Sequence, residues 1–170
     1  MAEQVKNFVK LFDAQISLDW KFVVRKGNKF FYIPPNLKTL VEKNRQYYYA
    51  GLPLGKLERG KFLPSFPLLS LIAEKAKNQL VVDDKAAWLF ICGRDLFKQG
   101  IVHIEGSREK GSYTLILNKH GECLGFGRIR QNLDKLKRGV AVENVLDIGD
   151  FLRREQKPQR FNSASSNCFR

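Results

Sequence analysis

Tyr113-Thr114-Leu115-Ile116-Leu117-Asn118-Lys119-His120-Gly121-Glu122-Cys123-Leu124-Gly125-Phe126-Gly127-Arg128-Ile129-Arg130 is the stretch on which the fold turns. Two apolar, β-branched and aromatic runs, 113–118 and 122–130, flank a turn of Asn118, Lys119, His120 and Gly121, the pattern of a β-hairpin. Gly125 and Gly127 stand inside the second strand, where glycine marks a bulge or a close backbone approach. A phosphate loop would need more glycines, placed between a strand and a helix.

Outward from this hairpin the same rhythm continues. Gln79–Val82, Ala87–Ile91, Ile101–Glu105 and Gly139–Val145 also read as short strands, and their regular spacing predicts a small barrel. Residues 93–100 read as a short helix closed by Gly100. Asp147, with Asp150 three residues on, predicts the N-cap of a last helix through Phe151-Leu152-Arg153-Arg154, which Pro158 must end.

Upstream of Gln79 the pattern changes. Val5, Phe8, Val9 and Phe12 recur at helical spacing, and Trp20–Arg25 is extended. Lys26-Gly27-Asn28-Lys29 turns the chain into Phe30–Ile33, and Pro34-Pro35 ends that hairpin. A helix is expected over Leu37–Glu42, extended chain over Tyr47–Gly51 and Leu52–Lys56, and a helical stripe over Pro64–Asn78 with a basic last turn. The fold class is therefore α/β in the mixed, α+β sense. It has an N-terminal α/β domain (1–78) with an antiparallel sheet flanked by helices, a C-terminal mixed pseudo-β-barrel (79–161) and a flexible tail (162–170).

The chain has 170 residues, 44% hydrophobic and 28% charged, a composition that excludes disordered and low-complexity classes. Its net charge of +13 predicts a polyanionic partner. That charge is uneven: net +8 over residues 1–78, +1 over 79–152 and +4 over 153–170. No apolar run reaches the ~18 residues of a membrane span, and Met1–Lys6 lacks the features of a secretory signal, so a cytoplasmic location without membrane contact is expected. Cys92, Cys123 and Cys168 are an odd set without a Cys-x-x-Cys pair and encode neither a disulfide framework nor a zinc ribbon.

Catalytic constellations are poorly supplied. The two histidines, His103 in a strand and His120 in a turn, are the available bases for a triad. His120, Glu122 and Cys123 resemble half a metal site, but Glu122 and Cys123 alternate across a strand and cannot both face one ion with His120. Asp83-Asp84 reads as loop, and residues 106–111 as an exposed charged loop. No cofactor and no metal is expected.

Basic clusters carry the stronger signal. Arg153, Arg154 and Lys157 fall on one side of the last helix, Arg160 extends the row, and the four are expected to face outward and hold phosphates. Lys56, Arg59 and Lys61, beside Tyr47, Tyr48, Tyr49 and Phe62, form a second cluster suited to phosphates and stacked bases, and are candidates for secondary RNA contacts.

The order of Leu54-Gly55-Lys56 through Lys61-Phe62, Phe66–Ala73, Leu96–Ile101, Leu124–Gly127 and Ala141–Arg153 resembles the Nip-seven (nuclear import protein seven) family of ribosome biogenesis factors, in its archaeal form. The similarity runs from about residue 50 to 157, and the C-terminal part resembles the PUA domain, an RNA-binding pseudo-barrel. The resemblance implies a non-enzymatic role in pre-rRNA processing and large ribosomal subunit biogenesis, with uridine-rich RNA bound through Arg153, Arg154, Lys157 and Arg160. Partners so implied are pre-rRNA, the pre-ribosomal large subunit and, in eukaryal members, which are nucleolar, exosome subunits and other biogenesis proteins. Two rivals stand beside it. One is an RNA-modifying enzyme of the pseudouridine synthase kind, with Asp13 or Asp19 as its catalytic carboxylate, and the other is a protein-binding adaptor.

Overall fold

The computed structural model describes residues 2–43 and 51–155. Helix α1 (Glu3–Lys10) turns Val5, Phe8 and Val9 inward, and Phe12, just past its end, is fully buried. A 3-10 turn, Trp20–Phe22, capped by the Asp19 side chain, precedes β1 (Val23–Lys26), so the expected strand begins three residues late. Gly27, at φ +61°, makes the tight turn into β2 (Lys29–Tyr32), and α2 runs Pro35–Lys43. The expected extended chain at Tyr47–Ala50 and the tail 162–170 lie outside the described residues.

Strand β3 (Leu52–Glu58) is followed by β4 (Lys61–Pro64), a hairpin absent from the sequence reading, and these strands complete an antiparallel sheet ordered β1-β2-β3-β4. Helix α3 (Phe66–Ala73) is capped by Ser65, whose Oγ accepts the Leu68 N–H. It stops before Lys75 and Lys77, so the expected basic last turn is not part of it.

The second sheet is built from β5 (Gln79–Val82), β6 (Leu96–Phe97), β7 (Ile101–Glu105), β8 (Tyr113–Leu117), β9 (Cys123–Ile129) and β10 (Val140–Asp147), in the order β6-β10-β9-β8-β5-β7. It curls into a half-barrel, and its β5–β8 pair is parallel while the rest are antiparallel, the mixed architecture expected. Two segments differ from the sequence reading. Ala87–Ile91 is not a strand but most of helix α4 (Asp84–Ile91), because Asp83 Oδ1 accepts the Ala86 N–H at 2.7 Å and caps it. Ala86 and Phe90 then fall one turn apart on the buried face. Residues 93–100 are not a helix: Leu96, 2% exposed, is drawn into the sheet opposite Val142, leaving Lys98–Gly100 as a 3-10 turn.

The glycines of β9 act as expected of a bulge. Gly125 has φ +148°, and a Cβ there would lie 2.1 Å from the Leu146 carbonyl oxygen, where the register of β10 shifts between Asn144 and Leu146. Among the described residues no helix is long and apolar enough to cross a membrane.

The two sheets share a core. Phe8 of α1 and Phe12 just beyond it stack edge-on against Phe126 of β9, with ring centroids 5.4 and 5.7 Å apart, and Phe62 of β4 lies 5.4 Å from Phe8. Leu115, Phe126 and Leu146 of the second sheet belong to the same buried cluster as Val5, Leu54 and Leu69. Aromatic pairs of this geometry add about 0.5–1.5 kcal/mol each beyond their burial. The β3–β4 hairpin is therefore held in fixed relation to β9 and β10.

Candidate nucleic-acid interface

Beside this shared core runs a groove of about 760 Å³, between the β3–β4 hairpin and α5 (Ile148–Glu155). Its floor includes Phe62, Leu63, Phe126 and Val145, and Arg59, Lys61 and Arg153 supply its cations. Glu58 and Asp150 are its carboxylates. Arg59 and Lys61 of one basic cluster thus share a groove with Arg153, the first residue of the other.

The hairpin places its cations at a conformational cost. Glu58 and Lys61 pair, so the loop is Arg59-Gly60, and both residues have positive φ, +50° and +78°. A mirror-image turn of this kind favours Asn-Gly, and an L side chain in the left-handed region costs roughly 1–2 kcal/mol. Arg59 stands there nonetheless, its long cationic side chain at the groove's edge. Strained residues that persist in this way cluster at functional sites. Replacing Arg59 with Asn is expected to raise stability by about 1 kcal/mol in chemical denaturation while weakening RNA binding in a titration. Stability and binding falling together would show that Arg59 serves the fold instead. Lys61 follows on β4, and Lys56 lies on β3 with its Nζ 3.0 Å from Glu58 Oε2.

At the other wall, Asp147 is 2% exposed and organises the start of α5. Its Oδ1 accepts the Asp150 N–H at 2.9 Å, the N-cap expected from the sequence. Arg153 Nη2 donates to both carboxylate oxygens of Asp147 at 3.0 Å, and Arg153 Nη1 donates to the Ile91 carbonyl at 2.9 Å. Asn144 Nδ2 donates to Asp147 Oδ2 at 3.2 Å and to the Phe90 carbonyl at 2.8 Å. Gly149 lets α5 close on α4, since a Cβ there would sit 2.0 Å from the Ile91 oxygen.

Arg153 thus departs from the expected outward row. Its guanidinium turns toward the protein and ties α5 to α4 and β10, while its side chain stays 46% exposed beside the groove. Among the expected phosphate contacts, the Arg154 side chain, Lys157 and Arg160 lie outside the described residues, as do Tyr47, Tyr48 and Tyr49 of the second cluster.

The residues weighed for catalysis are scattered. Asp13 pairs with Lys77 at 3.3 Å and Asp19 with Lys21 at 2.6 Å, both carboxylates on the surface. The Lys21 ammonium, by hydrogen bonding, draws the Asp19 carboxyl below the usual carboxylate range. Carboxylates so open to solvent form no enclosure around a flipped base. His103 is exposed on β7, and Glu122 Oε2 accepts from Asn118 Nδ2 at 2.6 Å in the β8–β9 turn. Burial pushes the Cys123 thiol up to about 11, which keeps it protonated at neutral pH. Among the described residues, no three of the His, Cys, Asp and Glu side chains gather where they could hold a metal ion.

Fold and comparison agree on the class. The chain is a PUA-domain protein, carrying a fold associated with RNA binding: residues 78–156 match the model of the UPF0113 PUA domain. It belongs to the UPF0113 family, being 30% identical over 139 residues to a UPF0113 protein of Aeropyrum pernix, across 78% of this chain and 74% of that one. A UPF0113 protein of Archaeoglobus fulgidus is 30% identical over 113 residues, 64% of each chain. The fold is also that of a conserved PUA domain protein from Thermoplasma acidophilum, with a TM-score of 0.59, 22% identity and coverage of 91% of this chain and 95% of that one.

Proposed function

We propose that this protein is a non-enzymatic RNA-binding factor that holds single-stranded RNA in the groove between the β3–β4 hairpin and α5. The observation that carries this reading is the convergence of Arg59 and Lys61 with the start of the Arg153, Arg154, Lys157, Arg160 row on one apolar-floored surface. Phosphates along the strand would lie against the hairpin cations Arg59 and Lys61 and against the cations beyond Arg153. Arg153 acts chiefly by fixing the direction in which α5 leaves the groove. Preference for uridine, which the Nip-seven resemblance implies, requires groups that touch bases, and the half-buried Phe62 and the exposed Val145 on the floor are placed to do so. The wider role that fits is in large ribosomal subunit biogenesis and pre-rRNA processing in the cytoplasm, with the groove presenting or shielding a segment of precursor rRNA.

Fluorescence anisotropy on uridine-rich and adenine-rich strands over a salt series tests the reading. The variant R154A/K157A/R160A leaves the Asp147–Arg153 pair intact and is expected to lose roughly 0.7 units of salt slope per phosphate contact removed. R59A/K61A is expected to act in the same direction. Affinity and slope that do not move in either variant would place the RNA elsewhere.

A further inference from the structure

Strand register brings two further lysines into line with Lys56, beside this groove. In the first sheet Lys26 of β1 stands directly opposite Lys29 of β2, and Lys29 stands directly opposite Lys56 of β3. Residues paired in this way share one face of a sheet, and adjacent strands lie about 4.8 Å apart, so the three lysines form a row about 10 Å long. Like charges directly opposite one another are unfavourable to a sheet, so three in succession are not explained by the needs of pairing. The two hairpin turns, Gly27-Asn28 and Arg59-Gly60, lie at the same end of the sheet, because β2 and β3 run antiparallel with Lys29 opposite Lys56. Lys29 and Lys56 also line one shallow depression of about 170 Å³ with Phe31 and Leu63. The row leads into the groove: Lys56 pairs with Glu58, and Glu58 lines the groove with Arg59 and Lys61.

We propose that Lys26, Lys29 and Lys56 form a phosphate rail, a second contact surface that carries single-stranded RNA from the groove across the N-terminal sheet. This rests on the reading of the groove as an RNA site and extends it: the RNA footprint spans both sheets, and the N-terminal part of the chain is itself an RNA-binding element. Contacts along the rail are to phosphates and so are blind to sequence. They lengthen the bound strand without sharpening its selectivity.

The test compares salt slopes for full-length chains on uridine-rich strands of increasing length. K26Q/K29Q/K56Q is expected to lose roughly 2 units of slope, three single-strand contacts at about 0.7 each, on long strands and little on strands short enough to fill the groove alone. K26R/K29R/K56R keeps the charge and is expected to retain the slope. K85Q/K135Q/K137Q removes the same charge from exposed positions on α4 and in the loop before β10, and is expected to leave the slope near that of the parent. A parent that binds with its full slope while the two glutamine variants behave alike would overturn the rail and leave the groove standing. A parent that binds no RNA would overturn the groove and the rail together.

Discussion

Truncating Phe126 to alanine is expected to cost about 3–5 kcal/mol of stability, the range for a buried aromatic whose site cannot collapse. Phe126 is 5% exposed and meets the rings of Phe8, Phe12 and Tyr113 at centroid distances of 5.4, 5.7 and 6.2 Å. These neighbours come from α1, the residues just after it and β8, on both sides of residue 78, so the cavity opens at the seam between the sheets. Two consequences separate this account from one with independent cores. The parent should unfold in a single calorimetric transition, and F126A should lower that transition as a whole. Two transitions in the parent, with F126A lowering only one of them, would contradict the shared core. Because Phe126 also floors the groove, RNA affinity should fall even at temperatures where the variant is fully folded.

Asp147→Ala is the second large effect. The carboxylate is buried and serves three donors, the Asp150 N–H, the Arg153 guanidinium and the Asn144 amide. Losing an N-cap costs about 1 kcal/mol. Breaking a buried ion pair costs about 3–5 kcal/mol, and less here because Arg153 is half exposed and water can reach it. A total of about 2–4 kcal/mol in chemical denaturation is the expected result. Asp147→Asn keeps an oxygen for the cap and loses the charge, so it should fall between the alanine variant and the parent. RNA binding separates structure from contact. If Arg153 positions α5, D147A weakens binding although it removes a negative charge and should, on charge alone, strengthen it. Tighter binding by D147A would show that Arg153 is a phosphate ligand restrained by Asp147.

What could be read from the sequence was what is set locally. The Asn118–Gly121 and Lys26–Lys29 turns and the Asp147 cap each depend on a few adjacent residues, and the structure has them where the residues put them, though β1 begins three residues late. The bulge glycines of β9 were legible for the same reason. Ala87–Ile91 was not, because a five-residue apolar run fits a buried strand as well as a helix face, and the deciding signal was the cap at Asp83 three residues before Ala86. Residues 93–100 failed for a different reason: Leu96 is a strand residue only because β10 lies beside it.

The candidate site divides in the same way. The basic row after Asp150 and the Lys56, Arg59, Lys61 cluster were visible as charge. That Arg59 and Lys61 share one groove with Arg153 depends on the packing of Phe8, Phe62 and Phe126, which no local pattern encodes. Helical spacing placed Arg153 on a face, but could not show that a carboxylate six residues earlier and a carbonyl on α4 would take its guanidinium. The opposition of Lys26, Lys29 and Lys56 exists only in the register. The strain at Arg59 had a signal, the Arg-Gly pair between two alternating runs, which the hairpin reading could have used.

The most direct measurement is photocrosslinking of a uridine-rich strand carrying 4-thiouridine to the full-length protein, with the crosslinked peptides mapped by mass spectrometry. The account predicts crosslinks within residues 58–63 and 145–154, on the two walls of the groove, extending to residues 26–31 only as the strand is lengthened. Crosslinks confined to α4 and β7, on elements that do not line the groove, would contradict it.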